Sequence, residues 1–556
     1  MTEGTVPWPD ELALQYARAG WWRGRDLGAE FADVAAARPD ATALVDGATR
    51  ISYGSLLARA DALAARLARL GLRPGMRIVV QLPNGWPFVV LTLACLRAGI
   101  VPVMALPAHR RHELAYLCEH SGARALAVPD VLRGFDHQQM AEELLAGSAT
   151  LAHILVAGQD VRHQDLTALC SEPQGSEPLG SEPEAQVPAP DPPDPAGVAV
   201  FLLSGGTTGL PKLIARTHND YSYNARASAE LCRLDERTVY LVSLPASHNF
   251  PLACPGILGT LLSGGRVVMI ASPDPASAFA AIEREGVTIT AVVPAVAQRW
   301  LAHAAGLRSS EQGTGALRTL EVLQVGGARL ADELAWRVRP VLGATLQQVF
   351  GMAEGLLNYT RLDDPDEVVC GTQGRPLSPG DEVRIVDADG RDLPDGHPGA
   401  LLTRGPYTPR GYYRAPEQNT RAFTPDGWYA SGDVVRRRPD GNLVVEGRDK
   451  DMINRGGEKI SAEEVENLLY RMPGIAQVAA VAAPDAELGE RICVFVVPES
   501  GRAISLGAIR GGLEAAGVAK FKWPERLEIV AELPVTKMGK LDKKALRDML
   551  AGRSTP

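Results

Sequence analysis

A run of small and hydroxyl-bearing residues that ends in a lysine is the stretch of this sequence best suited to chemistry. It follows the apolar run Val198–Leu203, which predicts a buried strand. Unshielded backbone N–H groups, three hydroxyls and an ammonium group together suit polyphosphate oxygens. In a Walker A loop the lysine directly follows the last glycine, whereas Leu-Pro intervenes here. A phosphate-binding loop and a flexible turn both remain open. The residues concerned are Ser204, Gly205, Gly206, Thr207, Thr208, Gly209 and Lys212.

This run resembles the phosphate loop of the acyl-adenylate-forming superfamily, which includes acyl-CoA synthetases, nonribosomal-peptide adenylation domains and firefly luciferases. Five further stretches extend the resemblance, in family order, from about residue 30 to residue 545. They are QVFGMAE at 348–354, YASGD at 429–433, GRDKD at 447–451, GGEK at 456–459 and PVTKMGK at 534–540. The resemblance implies an ATP-dependent ligase that activates an acid as its acyl adenylate, with ATP and Mg²⁺ as cofactors.

Within that resemblance, residues 348–354 correspond to the adenine and magnesium motif, and residues 429–433 correspond to the ribose motif. Glu354, which is also implied to be catalytic, is a hard oxygen ligand of the kind that Mg²⁺ prefers. Asp433 can accept hydrogen bonds from both ribose hydroxyls, and Arg448 can reach the same sugar. An exposed glutamate or a surface salt bridge is the plainer interpretation of these charges. The ATP-binding residues implied beyond the loop are Gly327, Val349, Phe350, Gly351, Met352, Asp433 and Arg448.

Lys540 is the catalytic lysine that the resemblance implies. When a carboxylate attacks the α-phosphate, negative charge builds up on both groups, and a positioned ammonium group stabilises it. Three other lysines lie close in sequence, so a solvated basic face is the alternative interpretation. The resemblance further implies that the C-terminal domain turns about a hinge at Lys450. The face presented for the thioester step would then include Gly457.

The stretch SHNFPLACPG at 247–256 resembles the acid-binding motif of enzymes that activate aryl acids for siderophore assembly. Peptide-synthetase domains normally carry an Asp in this pocket to pair with the substrate ammonium, whereas this chain has Asn249. A neutral amide can bond a carboxylate or an ortho hydroxyl, but it cannot neutralise an ammonium as well. An aryl acid without an amine is therefore predicted. The pocket residues implied are Asn249, Phe250, Cys254, Ala328 and Leu357, and His248 is implied to be catalytic.

Three of these pocket positions favour salicylate over 2,3-dihydroxybenzoate. Enzymes for the second acid tend to carry Tyr, Ser and Val where this chain has Phe250, Cys254 and Leu357. A buried hydroxyl without a strong partner costs about 1–3 kcal/mol, and a thiol is a weak donor and acceptor. Cys254 and Leu357 could instead be ordinary core residues, which is what buried Cys and Leu usually are.

The elements around these motifs predict an α/β protein. Apolar runs at 77–82 and 99–106 alternate with helix-like stretches such as 53–70, which is typical of parallel sheets. The segment 171–195 repeats Ser-Glu-Pro and has almost no apolar residues, which predicts a disordered loop or, alternatively, a partner-docking segment. From residue 371 to 448, short pieces separated by Asp-Gly turns predict a small β-barrel-like subdomain.

The predicted organisation has two domains. Residues 1–448 would form a large N-terminal region of two α/β subdomains plus the β-barrel-like subdomain. Residues 449–556 would form a small mobile α+β domain, with helices at 462–471 and 506–516 and strands near 477–482 and 492–497. A chain of 556 residues is too long for one hydrophobic core, which agrees with this division.

Composition excludes several other classes of protein. The net charge of −9 and the lack of a dense basic run argue against a nucleic-acid partner. No stretch approaches about 20 uncharged apolar residues, so no membrane span is predicted. The N-terminus has no signal-peptide features. Seven scattered cysteines without C-x-x-C spacing indicate a reducing cytoplasm.

The sequence therefore predicts a ligase that converts salicylate and ATP to salicyl-AMP and transfers the salicyl group to a phosphopantetheine thiol. The chain most resembles the salicylate ligases of mycobactin-type siderophore synthesis. Only 16 residues follow Lys540, so the aryl carrier protein would be a separate chain. An aryl-CoA synthetase, which uses coenzyme A, and a non-catalytic adenylate-binding homologue are the rival hypotheses.

Overall fold

The computed structural model describes residues 3–172, 192–204, 211–308, 315–455, 458–485, 488–516, 518, 520–536 and 540–553. The segment 171–195, predicted as a disordered loop, lies for the most part outside these residues.

The largest sheet has nine strands and is parallel at its centre. Its central strands are apolar runs buried on both faces, as parallel strands covered by helices must be. Its edges are antiparallel. In spatial order the strands are Arg375–Pro376, Gly355–Tyr359, Thr345–Met352, Val322–Gly326, Ile289–Val292, Val239–Val242, Arg266–Met269, Thr42–Asp46 and Thr49–Ser52.

A second sheet has seven strands and is parallel except for the antiparallel edge pair that flanks the phosphate loop. In spatial order its strands are Leu213–Thr217, Val198–Leu203, Val101–Met104, Arg77–Val80, Ala125–Pro129, His153–Ala157 and Gln164–Asp165. A two-stranded hairpin, Val131–Leu132 with Phe135–Asp136, lies beside it.

The helices of the large domain cover these two sheets. Several begin at a side-chain cap, as the helix His218–Leu231 does at Thr217. The α-helices are Asp10–Arg18, Leu27–Ala37, Tyr53–Arg69, Trp86–Ala98, Arg111–Ser121, His137–Ala146, Leu166–Leu169, His218–Leu231, Asn249–Ala253, Gly256–Leu262, Pro275–Glu285, Pro294–Arg308, Asp332–Leu342, Asp366–Gly371 and Pro416–Ala422, with a 3₁₀ turn at Gly315–Leu317.

The third part of the large domain is a four-stranded antiparallel sheet. Its strands are Glu382–Val386, Pro398–Arg404, Tyr429–Arg437 and Leu443–Arg448. It occupies the stretch for which Asp-Gly turns predicted a small β subdomain. The prediction of two α/β subdomains and a small β unit is thus confirmed.

The C-terminal domain is α+β, as predicted. Its sheet has the order Glu458–Ser461, Met452–Arg455, Gly489–Pro498, Ile475–Asp485, and Arg526–Ile529 pairs in parallel with Gly489–Pro498. Apolar clusters lie on both faces of this sheet. Its helices are Ala462–Tyr470, Leu506–Ala515 and Lys543–Arg553, with 3₁₀ turns at Asp449–Asp451 and Lys520–Lys522.

The chain passes from the last strand of the large domain, Leu443–Arg448, through the turn Asp449–Asp451 to the first strand of the small sheet. The predicted boundary at 448/449 falls in this passage. Gln298 donates a hydrogen bond across to the carbonyl of Ala476, and Arg471 lies 3.7 Å from Asp332. Movement of the small domain stays a prediction.

The seven cysteines are all buried and none forms a disulfide. Burial raises the pKa of the thiols, for example that of Cys118 to about 12. Within the described residues, no helix combines the length and the apolar character needed to cross a membrane.

Candidate active site

The phosphate loop is described only at its two ends. The backbone N–H of Ser204 donates to the carbonyl of Lys212 at 3.0 Å, and the N–H of Lys212 donates to Ser204 Oγ at 3.0 Å. This pair closes the loop at its base, where the edge strands of the second sheet end and begin. The predicted loop residues Gly205, Gly206, Thr207, Thr208 and Gly209 lie outside the described residues.

Glu354 is buried at the end of the strand Thr345–Met352, close to Lys212. The hydroxyl of Tyr412 donates to its Oε1 at 2.9 Å, and Lys212 Nζ lies 5.2 Å from the centre of the Tyr412 ring. Burial raises the pKa of Glu354, while the Tyr412 hydrogen bond and the charges of Arg448 and Lys212 oppose that rise. A cation beside this carboxylate would offset the cost of burying it.

The surroundings of Glu354 fit Mg²⁺ that is bound together with phosphates. Among the described residues, no three His, Cys, Asp or Glu side chains form a ready-made metal cage. Mg²⁺ typically takes one or two carboxylates and completes its octahedron with phosphate oxygens and water. A single buried carboxylate next to a phosphate loop suits that arrangement.

Asp433 and Arg448 lie opposite each other on the neighbouring strands Tyr429–Arg437 and Leu443–Arg448. Arg448 Nε donates to Asp433 Oδ1 at 2.8 Å. Burial raises the pKa of Asp433, and Arg448 opposes the rise. The other carboxylate oxygen, Oδ2, is buried and has no hydrogen-bond partner in the described part of the chain. A buried oxygen of this kind requires a donor, and a ribose hydroxyl would supply one.

The adenine motif lies on the strand Thr345–Met352, beside the end of Val322–Gly326. Val349 is buried, while Phe350, Gly351 and Met352 are half-buried. Gly351 lies opposite Leu357 on the antiparallel neighbour, and a Cβ at Gly351 would lie 2.3 Å from Leu357 Cδ2. A side chain at position 351 would therefore force Leu357 to shift.

Lys540 reaches this site from the small domain. A Cβ built on Gly327 would lie 2.9 Å from Lys540 Cε, and Gly327 has φ +85°. Burial and the charge of Arg448 lower the pKa of Lys540 to about 8, while Asp433 and Glu354 act in the opposite direction. The Lys540 N–H donates to Thr536 Oγ1 at 3.2 Å, which holds the turn that carries the lysine. The small domain thus lies with its lysine at the proposed nucleotide site.

His248 caps the short helix Asn249–Ala253. The N–H of Phe250 donates to His248 Nδ1 at 3.2 Å, so a proton on the neutral ring resides on Nε2. Burial and the charge of Lys540 lower the pKa of His248 to about 3. A neutral imidazole that presents Nε2–H can donate to a carboxylate oxygen.

Asn249, which is predicted to line the acid pocket, is buried, and a hydrogen bond holds its side chain. Tyr221 donates its hydroxyl proton to Asn249 Oδ1 at 2.9 Å. With the amide oxygen engaged in this way, the amide N–H donors are the groups that suit a carboxylate or an ortho hydroxyl.

The other predicted pocket residues, with one exception, are buried apolar side chains of the same hydrophobic cluster, called the wall below. Phe250, Cys254 and Leu357 are buried. Cys254 Sγ accepts a long hydrogen bond of 3.8 Å from Asn224 Nδ2. Ala328 is exposed in the loop after the strand Val322–Gly326. Met352 ends the strand Thr345–Met352, and Gly327 and Ala328 follow its parallel neighbour Val322–Gly326. The carboxyl ends of parallel strands are where α/β proteins bind ligands.

Two residues were predicted for the thioester step, Lys450 and Gly457. Lys450 lies in the 3₁₀ turn Asp449–Asp451, and only its backbone is described. Gly457 lies outside the described residues.

Sequence reasoning missed the residues that hold the predicted ones. These are Tyr412 beside Glu354, Tyr221 beside Asn249, and Arg216 with Asn224 between them. The spacing of Arg216 and Asp220, an arginine and an acid four residues apart across a strand end, was the one visible signal. Nothing in the sequence indicated that both side chains are fully buried.

A large α/β domain with a phosphate loop and an acid pocket, met by a small domain that supplies a lysine, defines an ATP-dependent acid-activating ligase. The chain belongs to the AMP-binding enzyme family, which matches residues 31–413, and the C-terminal domain of AMP-binding enzymes matches residues 464–540. The resemblance stated from the sequence motifs is confirmed.

Three relatives match almost the whole chain. A salicylyl-CoA synthase / salicylate adenylyltransferase of Streptomyces sp is 60% identical, over 99% of this chain and 98% of the relative. A 2-hydroxy-7-methoxy-5-methyl-1-naphthoate–CoA ligase of Streptomyces carzinostaticus is 56% identical, over 99% and 97%. A salicyl-AMP ligase / salicyl-S-ArCP synthetase of Mycobacterium tuberculosis is 50% identical, over 98% and 94%.

Among solved structures, the apo structure of MbtA from Mycobacterium smegmatis is similar, with 48% identity and a TM-score of 0.73. The match covers 98% of this chain and 99% of that one. The architecture of a large N-terminal and a small C-terminal domain is therefore that of the family.

Proposed function

We propose that the protein converts salicylate and ATP to salicyl-AMP and pyrophosphate, and then transfers the salicyl group to the phosphopantetheine thiol of a separate aryl carrier protein. The observation that carries the choice of acid is the chemistry of the predicted pocket residues: Tyr221 engages the amide oxygen of Asn249, and Phe250, Cys254 and Leu357 are buried. The amide serves the carboxylate and ortho hydroxyl, and the wall offers no strong partner to a second hydroxyl.

In the adenylation step, a carboxylate oxygen of the acid attacks the α-phosphorus of ATP, and the bond to the β-phosphate oxygen breaks to release pyrophosphate. Lys540 stabilises the charge on the attacking and phosphoryl oxygens, and His248 Nε2–H orients the carboxylate. Asp433 and Arg448 hold the ribose, and Glu354 and Lys212 hold the phosphate end. When bound at Glu354, Mg²⁺ would neutralise phosphate charge.

In the second step, the thiol attacks the acyl carbon and AMP leaves. Lys540 fills the place beside Gly327 in the present orientation, so the small domain has to turn to admit the thiol. The turn Asp449–Asp451, which contains Lys450, supplies the hinge, and Gly457 then belongs to the face that meets the acceptor.

The names of two relatives support salicylate, and those names differ in the acceptor, which is coenzyme A in one and a carrier protein in the other. A third name indicates that a larger hydroxy-aryl acid fits a related pocket. Each alternative gives a distinct result in the assay below.

The test is ATP–pyrophosphate exchange with salicylate, 2,3-dihydroxybenzoate, benzoate, a 2-hydroxy-1-naphthoate and several amino acids. Salicylate should give the highest kcat/KM. A higher value with 2,3-dihydroxybenzoate or the naphthoate would overturn the interpretation of the wall residues. Transfer of the salicyl group to a carrier protein and to coenzyme A, measured side by side, decides the acceptor.

A further inference from the structure

Arg216 is a fully buried arginine four residues after Lys212, in the strand Leu213–Thr217. Its Nε donates to Asp220 Oδ1 at 2.6 Å, and both side chains are 0% exposed. An ion pair without solvent is costly unless further hydrogen bonds satisfy it. The other hydrogen bonds of the guanidinium group therefore show which parts of the chain this ion pair connects.

One arm of the guanidinium reaches the backbone next to the proposed magnesium residue, Glu354. Arg216 Nη1 donates to the carbonyl of Ala353 at 3.2 Å, and Ala353 directly precedes Glu354. The backbone that carries Glu354 is thus fixed to the strand that follows the phosphate loop.

The other arm reaches Asn224, which contacts the backbone beside a predicted pocket residue. Arg216 Nη2 donates to Asn224 Oδ1 at 3.3 Å. Asn224 Nδ2 in turn donates to the carbonyl of Ala253 at 2.7 Å, next to the wall residue Cys254. The guanidinium carbon also lies 4.9 Å from the centre of the Tyr221 ring, and the Tyr221 hydroxyl holds Asn249. Arg216 therefore contacts two residues, Asn224 and Tyr221, that in turn hold predicted pocket residues or their backbone.

We propose that Arg216, with Asn224, is a positioning residue that sets the acid pocket against Glu354 and so couples the binding of the acid to that of ATP. This inference rests on the proposed function. A lysine could keep the charge but has no planar fork, so it could not hold the carbonyl of Ala353, Asn224 and Asp220 together. The alternative is a purely structural ion pair. Its loss would lower the stability of the protein without changing the coupling between acid and ATP binding.

The variants Arg216→Lys and Asn224→Ala test this role. Asn224→Ala leaves the Arg216–Asp220 pair intact, so it keeps the test valid if Arg216→Lys does not fold. The matched control is Arg226→Lys, on the same helix as Asn224, because Arg226 is also largely buried and ion-paired, 3.2 Å from Glu30, but contacts none of the site residues named above.

Two measurements separate the roles. Calorimetry gives the Kd of salicylate with and without the non-hydrolysable analogue α,β-methylene-ATP, and ATP–pyrophosphate exchange gives KM for each substrate and kcat. In the wild type, the analogue should tighten salicylate binding. Arg216→Lys and Asn224→Ala should reduce that tightening by about tenfold or more, the effect of losing a hydrogen bond to a buried charged group.

The outcomes are distinct. If Arg226→Lys matches the wild type while the two test variants lose coupling and raise KM for the acid more than KM for ATP, the proposal holds. If the test variants lose only thermal stability and keep the wild-type coupling, or if the analogue does not tighten salicylate binding in the wild type, Arg216 is structural and the proposal fails. If the wild type exchanges pyrophosphate with none of the acids, the proposed function itself fails.

Discussion

The two halves of the active site are built differently. In the large domain, the side chains that would contact substrates are held by neighbours: Asn249 by Tyr221, Glu354 by Tyr412, and Asp433 by Arg448. The small domain contributes Lys540, which its own turn supports through Thr536 and which the large domain accommodates at Gly327.

This contrast matches the two steps of the proposed reaction. The acyl group and the nucleotide take part in both steps of the proposed reaction. This agrees with a large domain whose side chains are already held in place by their neighbours. In the proposed reaction the lysine is needed only while the adenylate forms, so the small domain would be able to move away without rearranging the predicted pocket. Changes at the lysine should therefore separate the two steps, and changes in the pocket should affect both.

The largest expected effect is that of Lys540→Ala. ATP–pyrophosphate exchange should fall by about 10²–10³-fold, the usual effect of removing one group that stabilises a transition state. Transfer of the salicyl group from supplied salicyl-AMP to the acceptor should change little. If the variant exchanged pyrophosphate at the wild-type rate, Lys540 would have no role in the adenylation step.

Gly327→Ala should act on the same step by displacing the lysine rather than by removing it. The new methyl group would lie 2.9 Å from Lys540 Cε, in a backbone with φ +85°. Adenylation should fall at least tenfold, because misplacing a catalytic group by about 1 Å can cost 10²-fold. Gly343→Ala is the control, since Gly343 has φ +76° and no described atom within 4 Å of an added Cβ. Equal losses in both variants would trace the effect to backbone strain alone.

The pH dependence of the two steps should also differ. The pKa of Lys540 is lowered to about 8, and the charged form is the active one. Adenylation kcat/KM should therefore be level below pH 8 and fall tenfold per pH unit above it. Transfer from supplied salicyl-AMP should not fall in this range, because a thiol gains nucleophilic thiolate as the pH rises. A common alkaline limb in both steps would contradict the separation.

Pocket variants should change the choice of acid and affect both steps together. Cys254→Ser supplies a stronger hydrogen-bonding group, and Leu357→Val enlarges the space beside it. Each should raise kcat/KM for 2,3-dihydroxybenzoate relative to salicylate by a few-fold, about 1 kcal/mol. Cys232→Ser is the matched control, since Cys232 is equally buried but bonds to Gln347, at 3.2 Å. An unchanged ratio in the test variants would make Cys254 and Leu357 plain core residues.

The smallest effect should come from the contacts between the domains. Arg471→Ala removes the ion pair between the exposed Arg471 and the half-buried Asp332, which are 3.7 Å apart. Such pairs contribute about 0.2–1 kcal/mol, so adenylation should weaken less than about fivefold, and more so at low salt than at high salt. An effect comparable to that of Lys540→Ala would mean that the two halves are not separable.

Sequence motifs supplied the residues that are proposed to contact ligands, but few of the residues that hold those side chains in place. Glu354, Asp433 and Lys540 belong to short sequence motifs that can be recognised without knowledge of the fold. Tyr412, Tyr221 and Arg216 matter through partners far away in sequence, such as the pair formed by Tyr412 and Glu354, and no spacing rule predicts those pairs. The orientation of the small domain was equally inaccessible, because it depends on contacts such as that of Gln298 with Ala476.

The burial of all seven cysteines makes this chain convenient for thiol chemistry. Because burial raises the pKa of their thiols, native cysteines should react slowly with reagents in solution. Two cysteines introduced at positions 298 and 476 would then be the accessible pair, and a short bifunctional reagent could join them. The joined enzyme would be held in the present orientation, which we propose forms the adenylate, and a cleavable linker would allow the release of product to be triggered.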